Sequence, residues 1–175
     1  MGTEKALLRF DGVSLVERVV ARLRMACEPV VIAPGGRDIH VPGCAAVGDA
    51  APDAGPLAGL LAALRASPHQ LIAVVAVDMP WVDPALIALL AARGAGLDAI
   101  VPVSDNGPEP LHAIYARSAI AACEAAVGGE DRSLRGVLAR LTVGYVMEAE
   151  WRAAGIDPGF ARNLNTPEDL EALTR

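Results

Sequence analysis

Residues 71–80 read LIAVVAVDMP, and residues 83–96 read DPALIALLAARGAG. Seven apolar residues without a break, rich in valine, make a buried strand; a membrane span needs about 20. Asp78 ends the run. Asp83 then stands where a helix cap belongs, Pro84 at the first helical position, and Gly94 or Gly96 at the stop. A buried strand, a short stiff loop and a capped helix are the repeating unit of an α/β sheet.

The same alternation extends in both directions. Upstream, SLVERVVARLRMA (14–26) sets Leu15, Val19, Leu23 and Ala26 at helical spacing, and Ser14 with Glu17 predicts a capping box. PVVIAP (29–34) is a short strand closed by Pro34, Gly35 and Gly36. CAAVGD (44–49) is a weak strand, and GPLAGLLAALRAS (55–67) is a helix with Pro56 at its start. Downstream, DAIVPVS (98–104), PLHAIYAR (110–117) and TVGYVMEA (142–149) read as strands. SAIAACEAAVGG (118–129), SLRGVLARL (133–141) and NTPEDLEALTR (165–175) read as helices, the last opened by Thr166, Pro167 and Asp169. Helices alternating with strands across short loops predict α/β, and 175 residues suit one domain, 1–175.

Bulk properties narrow the function. The chain is 53% hydrophobic with 3% aromatics, so the core is built of Ala, Val, Leu and Ile, as a doubly covered parallel sheet prefers. Net charge is −6, and no basic run favours nucleic acid. No segment reads as a membrane span or signal peptide. Cys27, Cys44 and Cys123 lack metal-like spacing and read as small buried hydrophobes in a reducing cytoplasm. Ser–His–Asp order, HExxH, paired cysteines and a GxxxxGK[ST] loop are all absent from the sequence, which leaves hydrolase and zinc chemistry little support.

In open α/β sheets ligands bind beyond the carboxyl ends of the strands. Asp78 stands there, suited to a hard cation that carries phosphates; the alternative is an Asp that caps a turn. Asp49 ends the weak strand. Gly55 and Gly59 flank a helix start that favours anions, or else Gly55 only turns the chain and Gly59 only lets the helix lie close to the sheet. Asp53 is a candidate cap. Glu109, fixed by Pro110, can meet a polar substrate, whereas His112 reads as a core or edge histidine. Arg132 and Arg135, three apart, could embrace a phosphate as helix neighbours or form a solvated patch. Asn163 and Asn165 precede a helix start, where asparagine is common.

MGTEKALL, GPLAGLLAAL, VDMPW, EPLHAIY, RSLR and NLNTPEDL occur in order along the chain. The ordered set resembles the molybdenum cofactor guanylyltransferases, and the match runs from the first residue to the last. The resemblance implies a three-layer Rossmann-like nucleotidyltransferase fold with a mostly parallel sheet. It implies transfer of GMP from GTP to the terminal phosphate of molybdopterin, with release of pyrophosphate. Asp78 matches the aspartate that holds Mg²⁺, and Lys5 the lysine that meets GTP phosphates. Asp49, Gly55 and Pro56 fall on the nucleotide side. Glu109, Arg132, Arg135, Asn163 and Asn165 fall on the pterin side. GTP and molybdopterin are the implied partners, with molybdoenzyme maturation proteins beyond them. CTP or another phosphorylated acceptor, and a non-catalytic relative that binds nucleotide or pterin, stand as alternatives. The segment GPLAGL points to guanine, while Ala33 departs from the asparagine often found there.

The front differs more. The family opens with an apolar strand and a glycine-rich loop of the type LAGGxSxRMG, and this sequence starts at the Met-Gly that closes such a loop. The stretch MGTEKALLRFDG then reads as the tail of a phosphate loop, a ligand lysine and the lead into the first helix. The expectation is a longer polypeptide in the cell and poor GTP binding by this chain. Without a central first strand, two rows of backbone groups stay unpaired or the sheet closes up.

Overall fold

The computed structural model describes residues 5–51 and 54–164. The chain enters through a 3-10 turn, Lys5–Leu7, and a hairpin of β1 (Arg9–Phe10) and β2 (Val13–Ser14). Residues 9–13, read from the sequence only as a lead into the first helix, form this hairpin around Asp11 and Gly12. Both have positive φ, 49° and 77°, as a two-residue I′ turn demands. Helix α1 (Leu15–Leu23) follows. Its capping box is present: the Ser14 hydroxyl accepts from Glu17 N–H, and the Glu17 carboxylate accepts from Ser14 N–H at 2.8 Å.

Two very short strands come next, β3 (Val31–Ile32) and β4 (Ala45–Ala46), paired in parallel. Helix α2 (Pro56–Ala66) starts on its proline and leads to β5 (Leu71–Val75). Asp83 caps α3 (Pro84–Ala91), accepting from Ala85 N–H at 2.8 Å. Then follow β6 (Ala99–Ser104), β7 (Gly107–Pro108), β8 (His112–Ala116), α4 (Ile120–Val127), α5 (Leu134–Leu138), β9 (Val143–Val146) and α6 (Glu148–Ala153). The strand read over 142–149 is therefore shorter than expected. Met147 leaves it to start α6, where its N–H donates to Glu150 at 2.8 Å. The helix expected over 165–175 lies outside the described residues.

In the main sheet β8 sits between β5 and β6 and runs antiparallel to both, while β9 runs parallel to β6. Strands β5, β6 and β9 thus share one direction, with β8 reversed among them. Alternation along β5 divides two cores. Ile72 and Val74 pack with Leu57, Leu61 and Leu64 of α2, Cys123 of α4 and Val137 of α5. Leu71, Ala73 and Val75 pack on the other face with Leu86 and Leu90 of α3, Val19 and Leu23 of α1, and Trp151 of α6. This gives three layers: helices, sheet, helices. A third cluster joins α1 to the β3/β4 pair through Val16, Val20, Ile32 and Val41, with Ala6 and Val77. Among the described residues no helix is long and apolar enough to cross a membrane.

The sheet is open between β3 and β5. Strand β5 ends the five-stranded sheet, and β3 pairs with β4 alone among the described residues. A cavity of about 920 Å³ separates them, edged by residues 28–35 on one side and 71–77 on the other. The most apolar strand of the protein is consequently only half-buried along its whole length. The sheet has not closed up.

Candidate active site

The register fixes which end of the sheet carries the site. Val75, at the end of β5, pairs with His112, at the start of β8. The ends of β5 and β6 and the loop before β8 therefore meet at one edge. Asp78, Ser104 and Glu109 all belong to it. Helix α4 starts beyond Ala116, at the opposite edge, and β9 starts there too, beside Ala99. The loop 128–133 between α4 and α5 thus returns to the edge that holds Asp78.

Asp78 is half-buried in a stiff loop. Met79 behind it is buried and its N–H donates to Ala76 O at 3.1 Å. Val82 is buried and its carbonyl accepts from the Arg22 guanidinium of α1. The Asp78 carbonyl accepts from Leu164 N–H at 2.7 Å. That bond sets Asn163 beside the Asp78 loop, although some 85 residues separate them in sequence. Arg162 adds a second link, its guanidinium lying 4.9 Å from the Trp81 ring. Periodicity carries no signal for either contact.

The Asp78 carboxylate forms no ion pair with a described residue. Mg²⁺ is usually held by one or two carboxylates, with water and substrate phosphates completing the shell. A half-buried, uncommitted carboxylate at the mouth of a crevice fits that requirement. Among the described residues no group of three His, Cys, Asp or Glu is placed to hold a metal ion by itself, so substrate oxygens would complete the shell.

Asp49, Gly55 and Pro56 come together on the wall of the open cavity. A Cβ on Gly35 would lie 3.8 Å from Asp49 Oδ2, so the loops after β3 and β4 touch here. Gly55 has φ of +55° and turns the chain into α2. A Cβ on Gly59 would stand 3.0 Å from that of Ala33; its absence lets α2 lie close to the strand end. Both glycines thus have the structural roles weighed from the sequence.

Glu109 is half-buried and accepts from the Ser104 hydroxyl at 2.5 Å, while its N–H donates to Pro102 O at 3.0 Å. Tyr115 donates to Pro110 O at 2.8 Å and fixes the same turn from below. Arg132 and Arg135 are exposed. They are not helix neighbours: Ser133 is the cap of α5, so Arg132 precedes the helix and Arg135 lies in its first turn. The pair flanks the cap, and Asp131 accepts from Ser133 N–H at 2.9 Å between them. The side chain of Lys5, with Asp53 and Asn165, lies outside the described residues. His112 is fully buried beneath this edge, 5.3 Å from Phe160 in an edge-to-face contact.

Residues 1–144 match the family model of the MobA-like NTP transferase domain. A probable molybdenum cofactor guanylyltransferase of Methanosarcina acetivorans is 35% identical, over 97% of this chain and 82% of its own. One from Opitutus terrae is 38% identical, over 100% of this chain and 89% of its own. Among solved structures, molybdopterin-guanine dinucleotide biosynthesis protein A from Archaeoglobus fulgidus superposes with a TM-score of 0.79 at 30% identity. That match covers 98% of this chain and 89% of the other.

Proposed function

The chain belongs to the MobA-like NTP transferase family, among the molybdenum cofactor guanylyltransferases, and from that membership we propose that it transfers GMP from GTP to molybdopterin. A terminal phosphate oxygen of the pterin attacks the α-phosphorus of GTP. The bond to the β-phosphate oxygen breaks, and pyrophosphate leaves with the electron pair. No covalent intermediate with the protein is needed; the requirements are alignment and charge neutralisation.

One observation carries the reading: the hydrogen bond from Leu164 N–H to Asp78 O brings the chain next to Asn163 onto the loop that holds Asp78 at the carboxyl edge of the sheet. Asp49, Gly55 and Pro56 stand on the nucleotide side of that point. Glu109, Arg132, Arg135 and Asn163 stand on the acceptor side. Ser104 keeps the Glu109 carboxylate aimed, and the two arginines supply donors for an acceptor phosphate. These roles, with those of Lys5 and Asn165, rest on the resemblance. Asp78 would hold Mg²⁺, which when bound supplies positive charge that neutralises the phosphates.

The test is pyrophosphate release with molybdopterin, Mg²⁺ and each of GTP, CTP and ATP, on wild type and Asp78→Asn. GTP-dependent release that the variant loses, with an unchanged circular dichroism spectrum, supports the transfer reading and overturns the expectation, raised from the sequence, that this chain binds GTP poorly. Preference for CTP would make the protein a cytidylyltransferase. Binding of nucleotide or pterin without turnover would make it a non-catalytic relative.

A further inference from the structure

We propose that Arg162 is a positioning residue: through the Trp81 ring it fixes the segment that carries Asn163 against the loop that carries Asp78, and so sets the gap between the acceptor side and Asp78. Its effect on the chemistry rests on the transfer reading above; its geometry does not.

The segment is anchored from below. Asp157 caps the 3-10 turn Pro158–Ala161, accepting from Gly159 N–H at 2.6 Å. Phe160 of that turn is buried, with His112 and Trp151 each at 5.3 Å in edge-to-face contact. Arg162 leaves the turn extended, with φ −78° and ψ 126°. Ala161 and Leu164 are buried, and Arg162 and Asn163 are exposed between them. The hydrogen bond from Leu164 N–H to Asp78 O attaches the segment at the start of the loop. The Arg162 guanidinium, 4.9 Å from the Trp81 ring, attaches it again three residues along. Attachment at both places fixes an angle as well as a distance. Reacting groups need that, since a misplacement of about 1 Å can cost roughly 100-fold in rate. The far end of the loop is tied separately, by the Arg22 guanidinium on Val82 O.

Trp81 is not a core residue. It is half-buried while Met79 and Val82 on either side are buried, and among the described residues none of the three apolar clusters includes it. Trp151 makes the contrast. Arg152 also lies 4.9 Å from its ring, yet Trp151 is a core residue whose indole N–H donates to Val103 O at 3.0 Å, and Arg152 is paired with Glu148. Among the described residues Arg162 pairs with no carboxylate. Its guanidinium meets the indole instead, where the ring quadrupole attracts a cation.

Hydrogen exchange of the Leu164 amide reads the geometry without substrate, and steady-state transfer reads its effect. Arg162→Gln should speed that exchange about two- to fivefold, the worth of an exposed cation–π contact. Trp81→Leu should do the same, and the double variant no more than either, because both remove one contact. Arg162→Lys keeps a cation on the ring and should restore most of the protection. Ser14→Ala weakens the distant α1 cap and should leave Leu164 exchange unchanged, since local opening does not break that cap. In the transfer assay Arg162→Gln and Trp81→Leu should each lower kcat by up to about fivefold, again without adding, while the KM for GTP holds.

Unchanged Leu164 exchange in Arg162→Gln would overturn the proposal. So would effects that add in the double variant, equal acceleration by Ser14→Ala, or variants that keep the kcat of an active wild type. A rise in the acceptor KM with kcat intact would overturn it too, by making Arg162 a direct contact of the acceptor. A wild type that turns over no nucleotide, with the exchange pattern as expected, would remove the transfer reading and leave the clamp standing.

Discussion

His112→Leu tests the core beneath the active edge. The imidazole is fully buried in β8, and neither ring nitrogen has a hydrogen-bond partner among the described residues. Burial disfavours its charged form and lowers its pKa from 6.5 to about 4. Between those two values the unfolded chain binds a proton that the folded chain refuses. Stability therefore rises with pH across the window: it is fully present above pH 6.5 and is lost as pH falls towards 4. At about 1.4 kcal/mol per pKa unit, the loss is about 3 kcal/mol. Leucine has no proton to refuse. At pH 7 it gains by removing two unsatisfied nitrogens and loses the edge contact with Phe160, each of order 1 kcal/mol. The two proteins should then be similar in stability. Urea unfolding at pH 7, 6, 5 and 4 reads the difference between them, which should open in favour of the variant to about 3 kcal/mol at pH 4. Hydrogen bonding also depresses carboxylates such as Asp98 and Glu150, but their effect is common to both proteins and cancels. A difference that stays constant from pH 7 to pH 4 would refute the buried-neutral assignment.

Other outcomes follow from single contacts. Ser14→Ala removes one half of the α1 capping box and should cost about 1 kcal/mol, lowering the thermal midpoint by roughly 2–4 °C in a chain of this size. Tyr115→Phe leaves the Pro110 carbonyl without its 2.8 Å donor; calorimetry should show a loss of about 1–2 kcal/mol. Glu109→Gln keeps the shape and the Ser104 contact but removes the charge. In the proposed reaction the KM for the acceptor should rise about tenfold, the worth of a hydrogen bond to a charged group, while the KM for GTP holds. An equal rise in both constants would detach Glu109 from the acceptor side.

Helix starts were the most legible part of the sequence, because caps act within three residues. Ser14 with Glu17, Pro56, and Asp83 with Pro84 all stand where their chemistry places them. The strand at 71–75 was equally plain from its apolar run. Helix α6 was not: Met147 is an unusual cap residue, and Tyr145 and Met147 prolong the look of a strand past its end. The Asp11-Gly12 pair is a local signal for the hairpin, in a stretch that the sequence reading took only as the lead into the first helix. Within the site, the position of Asp78 followed from the end of its strand. Its neighbour Asn163 did not, since one backbone hydrogen bond across the chain brings them together. The geometry of Arg132 and Arg135 was misjudged because spacing alone does not reveal which residue caps the helix.

The reversed strand β8 also governs the order of assembly. Strands β5 and β6 never touch by hydrogen bonds; each bonds to β8, which follows both in the chain. A ribosome that has released residues up to 111 has released two strands with nothing to hold them side by side. Until residues 112–116 emerge, Leu71–Val75 is a bare apolar ribbon with both edges open, the kind of surface that aggregates or recruits chaperones. Arrival of five residues, among them the buried His112 and Tyr115, joins the halves of the sheet in one step. Those five residues join β5 to β6, with β9 still to add, so a chain that stops before them should leave the two strands apart however much helix it contains.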